Sequence, residues 1–163
     1  MTITANKYYT YNIAMDLKNI TTYHAGIAQA RAYRVLKQLM TTALKKHGLG
    51  MMQWAILGLV YEVGAKGIRI TDLAARLDTT LAFVTTHINL LETKGMVKRS
   101  VDPSDSRARI VVLNKKHRST IPAIEKQVRR DLRESVGANI STEELGAYVN
   151  VLNKIAGLSK NPK

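Results

Sequence analysis

Apolar residues recur at intervals of three and four along much of this chain, a spacing typical of helices with one buried face. The pattern predicts a first helix over residues 22–46 and a buried second helix over residues 51–63. Two more helices are expected towards the C-terminus, over residues 121–136 and over residues 141–157. The last of these opens with Ser-Thr-Glu-Glu, a capping box that favours a helix start.

A pair of shorter helices joined by a tight turn is predicted in the middle of the chain. After a short strand at residues 67–70, Thr71 is a suitable N-cap for a helix over residues 72–77. Asp78 stands in the turn, where the backbone needs a residue that tolerates a left-handed conformation. The second helix of the pair is predicted over residues 80–94. The apolar residues expected between the two helices are Leu73, Ala74, Leu77, Val84, Ile88 and Leu91.

Two strands follow the helix pair, over residues 96–101 and 108–113. Residues 102–107 between them are turn formers, so the segment is expected to be a β-hairpin with a polar tip. The predicted fold is therefore mainly α with a small β-wing, that is, a winged helix-turn-helix with flanking helices.

The net charge indicates what this fold would bind. The chain has 25 Lys and Arg against 12 Asp and Glu, a net charge of +13. Residues 66–118 alone hold eleven basic and five acidic side chains. A polyanion is the expected partner, with nucleic acid favoured over an acidic membrane surface. The chain has no cysteine, which excludes disulfides, thiol catalysis and Cys-ligated zinc.

Several other function classes find no support in the sequence. The longest apolar run, residues 54–61, is too short to span a membrane, and no signal peptide is visible, so we expect a cytoplasmic protein without a membrane partner. No Gly-rich phosphate loop, His-Glu-x-x-His or Gly-x-Ser-x-Gly motif is present, and the protein is not expected to be an enzyme. The four histidines share no ligand spacing, so neither a metal nor another cofactor is expected.

Four segments together resemble the MarR family of bacterial and archaeal regulators: residues 70–74, 91–99, 102–107 and 110–113. The wing signature of that family, Asp-x-Arg before an apolar strand, falls on Asp105 and Arg107. The resemblance is close over residues 51–115, whereas the flanking helices match only in number and placement.

The resemblance implies a homodimer that binds pseudo-palindromic promoter DNA, usually as a repressor, and that a small ligand can release. It divides the chain into an N-terminal arm (residues 1–20), a helical dimerisation region (residues 21–50 and 119–163) and a DNA-binding lobe (residues 51–118).

The resemblance also places a set of residues at the DNA. In this set Asn89 is expected to bond adenine, and Lys98 to contact phosphates without reading sequence. Asp105 and Arg107 resemble the pair that supports the wing loop. The expected contacts are Thr79, Thr80, Leu81, Ala82, Phe83, Thr85, Thr86 and Asn89 in the second helix and its start, Lys94, Lys98 and Arg99 after it, and Ser106, Arg107 and Arg109 in the wing.

The sequence departs from the family pattern at three places. Ser106 stands where many relatives have a wing-tip Arg, so either Arg107 or Arg109 takes over minor-groove contact or that contact is weak. No Arg precedes Lys94 in the second helix, which predicts an A·T-leaning site with modest discrimination. His87 occupies a position that is usually apolar, and we expect it to be partly buried and bonded to a backbone carbonyl. Titration of His87 near neutrality would couple DNA binding to pH.

Aromatic residues and Met51 are the candidates for an effector pocket between the lobes, with ordinary core packing as the alternative. They are Tyr23, Tyr33, Met51, Trp54 and Tyr61. Two other functions stay open from the sequence. One is an architectural DNA-binding protein with little sequence choice, which the Arg-poor second helix favours. The other is a winged helix that docks an acidic protein partner.

Overall fold

The computed structural model describes residues 20–137 and 139–158. All of the expected N-terminal arm except Ile20 lies outside the described residues. The helices are α1 (Thr22–Lys45), α2 (Met51–Val63), α3 (Ile70–Arg76), α4 (Leu81–Thr93), α5 (Thr120–Val136) and α6 (Thr142–Leu158). The strands are β1 (Ile68–Arg69), β2 (Val97–Asp102) and β3 (Asp105–Leu113), and short 3-10 turns lie at Gly64–Lys66 and Lys115–His117.

The chain divides into two compact units, one up to Lys37 and one from Gln38 onwards. The described part of the first unit begins with a local cap, in which Thr21 Oγ1 lies 2.9 Å from His24 Nδ1. The Tyr23 and His24 rings pack with their centroids 4.2 Å apart. Along this part of α1 the side chains of Tyr23, Ile27 and Tyr33 are exposed.

The core of the second unit joins the helix pair to its flanking helices. The six residues predicted between the two helices are buried or, for Leu77, packed against the core, which confirms that prediction. The same core contains Leu44 from the end of α1 and Ile121, Ile124 and Val128 from α5. The helix pair is therefore held by α2 and the first half of α5 as well as by itself.

A three-stranded antiparallel sheet, in the order β1-β3-β2, lies beside the helix pair. Ile68 pairs with Val111, which brings β1 close against β3. Gly67 precedes β1 with a φ of +70°, and a Cβ there would lie 2.9 Å from the Val111 carbonyl oxygen. Glycine is required at this position both for the backbone conformation and for the close approach of the strands.

The hairpin turn is shorter than the sequence predicted. Asp102 pairs with Asp105, so Pro103 and Ser104 alone form the loop, and the expected six-residue turn is wrong. Residues 105–107 belong to β3 instead of the loop, and the pairing register shifts between Val101, which faces Arg109, and Asp102, which faces Asp105.

The start of α3 is also a correction. The helix begins at Ile70 with Arg69 as its N-cap and no side-chain cap hydrogen bond, so the prediction that Thr71 caps it is wrong. The Thr71 hydroxyl points instead to Asp72 Oδ1 at 3.5 Å. The N-cap shifts because β1 ends at Arg69 and the chain enters the helix directly from the strand.

α6 begins as predicted but does not bury its apolar face. The capping box is confirmed, because Ser141 N–H donates to Glu144 Oε2 at 2.8 Å and Glu144 N–H donates to Ser141 Oγ at 3.1 Å. α6 extends to Leu158, one residue past Gly157. Six of its large apolar side chains are exposed: Leu145, Tyr148, Val149, Val151, Leu152 and Ile155.

Candidate nucleic-acid interface

The turn between α3 and α4 has the geometry of a helix-turn-helix. Asp78 has a φ of 48°, which confirms the left-handed position expected there. Thr79 N–H donates to the Ala74 carbonyl at 3.1 Å, so the backbone closes tightly at the end of α3. Thr80 then caps α4, with its Oγ1 accepting from Phe83 N–H at 3.3 Å. The turn thus fixes the direction in which α4 leaves the helix pair.

The helix α4 has one buried and one exposed face. Val84, Ile88 and Leu91 are completely buried. The exposed residues predicted to face DNA are Leu81, Ala82, Phe83, Thr86 and Asn89, while Thr85 is half-buried. No Lys or Arg lies within α4, so its exposed face offers apolar, hydroxyl and amide groups.

An open cleft of about 440 Å³ lies between the start of α4 and the wing. It brings together four residues predicted at the DNA: Leu81, Thr85, Arg107 and Arg109. Its other lining residues are Arg69, Ile70, Thr71, Asp105 and Ala108. α4, which we call the recognition helix, and the wing therefore share one surface, with guanidinium groups on the wing side and at β1.

A polar network that the sequence analysis missed fixes the tip of the wing. Asp102 is 9% exposed, and its Oδ2 accepts from Arg69 Nε at 2.6 Å. Its Oδ1 accepts from the Ser104 backbone N–H at 2.8 Å and from Ser104 Oγ at 2.7 Å. The hydrogen bonds from Ser104, together with the one from Arg69, lower the pKa of Asp102 to about 2. The sequence Asp-Pro-Ser is an Asx-turn signal, but nothing in the sequence identifies Arg69 as the partner.

The predicted supporting pair, Asp105 and Arg107, is joined through the backbone. Asp105 Oδ1 accepts from the Arg107 N–H at 3.0 Å, and Asp105 Oδ2 lies 4.0 Å from Arg69 Nη2. Arg109 Nη1 donates to the carbonyls of Ser106 and Ala108, at 3.1 and 3.3 Å. Among the described residues, none accepts a hydrogen bond from the exposed Arg107 guanidinium.

A second polar network lies at the base of the wing. Glu92 Oε1 accepts from Arg99 N–H at 2.9 Å, and Glu92 Oε2 forms an ion pair with Arg99 Nη1. Arg99 Nη2 donates to Asn89 Oδ1 at 2.6 Å. Lys98, the neighbour of Arg99 in β2, is exposed. Both Arg99 and Lys98 were predicted to contact phosphates, but the Arg99 side chain is bonded to Glu92 and Asn89, whereas the Lys98 side chain is exposed.

Lys94 is tied into the fold at the end of α4. Its Nζ donates to the Gly48 carbonyl and, at 2.9 Å, to Gln53 Oε1. Gln53 Oε1 also accepts from Gly50 N–H at 3.1 Å and so caps α2. Two of the three donors of the Lys94 ammonium group are thus used within the protein.

The expectation for His87 is half right. Its ring is partly buried, as predicted, but its Nδ1 has no hydrogen-bond partner among the described residues, so the expected bond to a carbonyl is wrong. The ring packs edge-on against Phe83 instead, with centroids 4.6 Å apart and an interplanar angle of 77°. At this position the imidazole thus contributes an aromatic contact and not a hydrogen bond from Nδ1.

The residues suggested for an effector pocket fall in both units. Tyr23 and Tyr33 belong to the first unit and are 62% and 59% exposed. Met51 and Tyr61 in the second unit are exposed at 37% and 36%. Trp54 is partly buried against the core of the second unit.

Neither a metal site nor a membrane span is found in the described part of the chain. No three His, Asp or Glu side chains come together there in a group that could hold a metal ion. No helix within residues 20–137 and 139–158 has the length and hydropathy needed to cross a bilayer.

Comparisons with known proteins agree with this architecture. A family model described as "MarR family" matches residues 47–108, the segment from the start of α2 into the wing. The uncharacterized HTH-type transcriptional regulator YdgJ of Bacillus subtilis is 33% identical over 108 residues. That alignment covers 66% of this chain and 64% of YdgJ, so it spans somewhat less than two thirds of the relative.

Solved structures share the fold over most of the chain. Sco3205, a MarR family transcriptional regulator from Streptomyces coelicolor solved in complex with DNA, has a TM-score of 0.73 at 18% identity, over 84% of this chain and 88% of that one. CouR from Rhodococcus jostii, bound to p-coumaroyl-CoA, has a TM-score of 0.70 at 20% identity, over 81% of this chain and 91% of that one. The family match, the related regulator and the winged helix-turn-helix agree: from just before α2 into the wing, this chain is similar to the MarR family, a family of transcriptional regulators and not of enzymes.

Proposed function

We propose that this protein is a sequence-specific regulator that binds double-stranded DNA as a homodimer and represses transcription from a pseudo-palindromic operator. The observation that carries the proposal is the shared surface of α4 and the wing. The uncharged exposed face of α4 and the guanidinium groups of Arg69, Arg107 and Arg109 border one open cleft. A helix suited to the major groove thus lies next to cations suited to phosphates and the minor groove. Because its partner is chromosomal DNA, the protein would act in the cytoplasm.

The cations of the wing and of the end of α4 divide into groups without and groups with a hydrogen-bond acceptor among the described residues. Arg107 is the cation we assign to the minor groove, since Arg109 donates to carbonyls of the wing. Lys98 is exposed and is assigned to a phosphate. Lys94 is assigned a structural role, because Gly48 and Gln53 accept its hydrogen bonds.

The exposed apolar face of α6 supports the homodimer. Six large apolar side chains of this helix, including Tyr148, Leu152 and Ile155, are between 39% and 55% exposed. Contiguous apolar surface of this kind marks a protein–protein interface, and a second copy of the chain is the occupant that the family architecture suggests. Two recognition helices related by a two-fold axis would enter major grooves about 34 Å apart.

Selection of bound duplexes from a randomised DNA pool near physiological salt tests the proposal. We expect enrichment of an inverted repeat whose half-sites lie about one helical turn apart. The double variant Leu152→Glu/Ile155→Glu should sediment as a monomer and lose the inverted repeat, while Glu143→Gln at the exposed start of the same helix should change neither. Retention of DNA without any enriched sequence would contradict sequence-specific regulation.

A small-molecule effector is part of the proposal, supported by the aromatic residues of α2 and by the acyl-CoA ligand of CouR. Trp54 is the single tryptophan of the chain, so its fluorescence reports on this region alone. Titration with p-coumaroyl-CoA, and with coenzyme A as the control, should quench Trp54 and release the selected operator if aromatic acyl thioesters are the effector class. Quenching without release would count against an effector role for this class.

One observation favours a second function, that of an architectural DNA-binding protein. The exposed face of α4 has no basic residue, so the commonest contact to guanine, an arginine, is missing from the recognition helix. An architectural protein would bind all duplexes with similar affinity and a steep dependence on salt. The same selection experiment distinguishes the two functions.

A further inference from the structure

The side chain of Arg99 is held on two sides by Glu92. One carboxylate oxygen of Glu92 accepts from the Arg99 backbone N–H at 2.9 Å, and the other forms an ion pair with Nη1. The two side chains are only 27% and 29% exposed. A guanidinium fixed in this way has a defined direction in which its remaining donors point.

One of those donors is directed at the exposed face of α4. Arg99 Nη2 donates to Asn89 Oδ1 at 2.6 Å. Because a guanidinium group has donors and no acceptor, the amide of Asn89 must turn its oxygen towards Arg99. The Nδ2 amino group then faces away, and none of the described residues accepts a hydrogen bond from it.

The orientation of this amide decides which base edge Asn89 can bond. Asparagine reads adenine by accepting from N6 with its oxygen while donating to N7. With the oxygen engaged by Arg99, the outward side of Asn89 offers donors. Guanine presents two acceptors in the major groove, N7 and O6, whereas adenine presents one acceptor and one donor.

We propose that Arg99 is a positioning residue that turns Asn89 into a hydrogen-bond donor and so selects guanine over adenine at one position of each half-site. This inference rests on the proposed function and deepens it. It assigns guanine where the sequence alone suggested adenine, and it gives Arg99 a role in specificity beyond the charge that it carries. The contact between the end of α4 and the base of the wing thus determines how the Asn89 amide is oriented.

Neighbouring residues supply matched variants. Arg99→Lys keeps the positive charge, but a single ammonium group cannot contact Glu92 and hold the Asn89 amide in the way a guanidinium does. Arg99→Ala removes both the charge and the contact. Lys98→Ala is the control, because Lys98 is exposed and points to the opposite face of β2. Asn89→Ala identifies the operator position that Asn89 reads.

Duplex selection is then repeated with each variant. Arg99→Lys and Arg99→Ala should lower the guanine-to-adenine ratio at the Asn89 position by about tenfold, the size expected for one base contact. Lys98→Ala should keep the wild-type base at that position and reduce the slope of log K against log salt by about 1. In the DNA-free protein, Arg99→Lys should shift the NMR resonances of the Asn89 side-chain amide, and Lys98→Ala should leave them in place.

The outcomes separate this inference from the proposed function. If wild-type protein enriches an inverted repeat and both Arg99 variants keep the same base at the Asn89 position, the positioning role is overturned while the regulator stands. If wild-type protein enriches no sequence, both the proposed function and the positioning role of Arg99 are overturned, because the oriented Asn89 amide would then select no base. Arg99→Lys retains the positive charge. A change of the preferred base at the Asn89 position in this variant would therefore show that Arg99 acts by orienting the amide and not by its charge.

Discussion

The recognition helix and the wing are attached to the protein by different kinds of contact. α4 is held by Val84, Ile88 and Leu91, three side chains without any exposed surface. The wing tip is held by Arg69 and Asp102, whose side chains are 40% and 11% exposed, and by the hydrogen bonds of Ser104. Burial of apolar surface is non-directional and insensitive to salt, whereas a half-exposed ion pair is directional and screened.

This difference teaches how the two parts of the candidate interface would behave. The helix that we propose reads bases is held by the same buried side chains as the core to which it belongs. The wing that carries the cations is held at its tip by polar contacts, which respond to pH and to salt. In the proposed function, base reading would thus depend on the part of the surface anchored by apolar burial, and contact with phosphates on the part anchored by polar groups.

The largest expected effect comes from removing apolar support under α4. Leu91→Ala should lower the free energy of unfolding by about 2–5 kcal/mol, because it leaves a cavity in the core. Leu90→Ala is the matched control, since Leu90 is 46% exposed, and it should change stability by no more than about 0.5 kcal/mol. Urea unfolding at a fixed protomer concentration measures both. Equal losses in the two variants would show that α4 is not anchored by its buried face.

A somewhat smaller effect is expected where β1 approaches β3. Gly67→Ala places a methyl group 2.9 Å from the Val111 carbonyl and 2.6 Å from Val112 Cγ1, in a left-handed backbone conformation. We expect a loss of about 2–3 kcal/mol in the free energy of unfolding. In Gly58→Ala the new methyl group meets no atom within 4 Å, so this control should be neutral or more stable by up to about 1 kcal/mol through helix propensity. A Gly67 variant as stable as the wild type would contradict the close strand contact.

The helix pair was predictable from the sequence because its support is periodic. Leu73, Ala74, Val84, Ile88 and Leu91 recur at helical spacing, and that spacing encodes both the helices and the face they bury. The left-handed turn at Asp78 was predictable for a similar reason, since few residue types tolerate that backbone. Most of the wrong structural predictions concerned the residues at which helices and strands begin or end. The hairpin loop came out too long because turn-forming residues such as Ser106 can also belong to a strand, here beside a shift in the pairing register.

The polar contacts of the candidate site could not be predicted in the same way. Arg69 and Asp102 are 33 positions apart, and no period connects them. The orientation of Asn89 likewise depends on Arg99, which reaches it only after β2 folds back beside α4. The sequence therefore indicated which residue types lie on the candidate interface, while the direction in which their donors and acceptors point required the tertiary structure.

On the wing, the contrast between free and engaged cations can be tested with two arginines. Arg107→Ala should weaken binding to the selected operator by about tenfold and reduce the slope of log K against log salt by about 1, because an unpaired guanidinium is lost. Arg109→Ala should have a smaller effect on the slope, since Ser106 and Ala108 already accept hydrogen bonds from Arg109. Fluorescence anisotropy of a labelled operator over a range of salt measures both variants. A larger loss of affinity and of salt dependence in Arg109→Ala than in Arg107→Ala would assign the minor-groove contact to Arg109.

The smallest effect is expected from the titration of Asp102, which tests the polar attachment of the wing directly. Hydrogen bonds from Ser104 and Arg69 lower the pKa of Asp102 to about 2, from an ordinary value of 3.8. A carboxyl group whose pKa is lower in the folded than in the unfolded state stabilises the fold fully above its unfolded pKa, and this stabilisation disappears as pH falls through its folded pKa. The wing tip should therefore be unaffected at neutral pH and loosen only between about pH 4 and pH 2.

The ¹³C resonance of the Asp102 carboxyl group reports this ionisation without requiring the wing to unfold. At pH 3 Asp102 should still be ionised in the wild type, whereas most carboxyl groups with ordinary pKa values are protonated. Ser104→Ala should raise the pKa of Asp102 by removing the hydroxyl donor, and Arg69→Met should raise it by removing the charged partner. Thr71→Ala, at an exposed neighbouring position, should leave the pKa unchanged. If Asp102 titrates near its ordinary value in the wild type, the wing tip is not held by this network, and the contrast with the apolar anchoring of α4 fails.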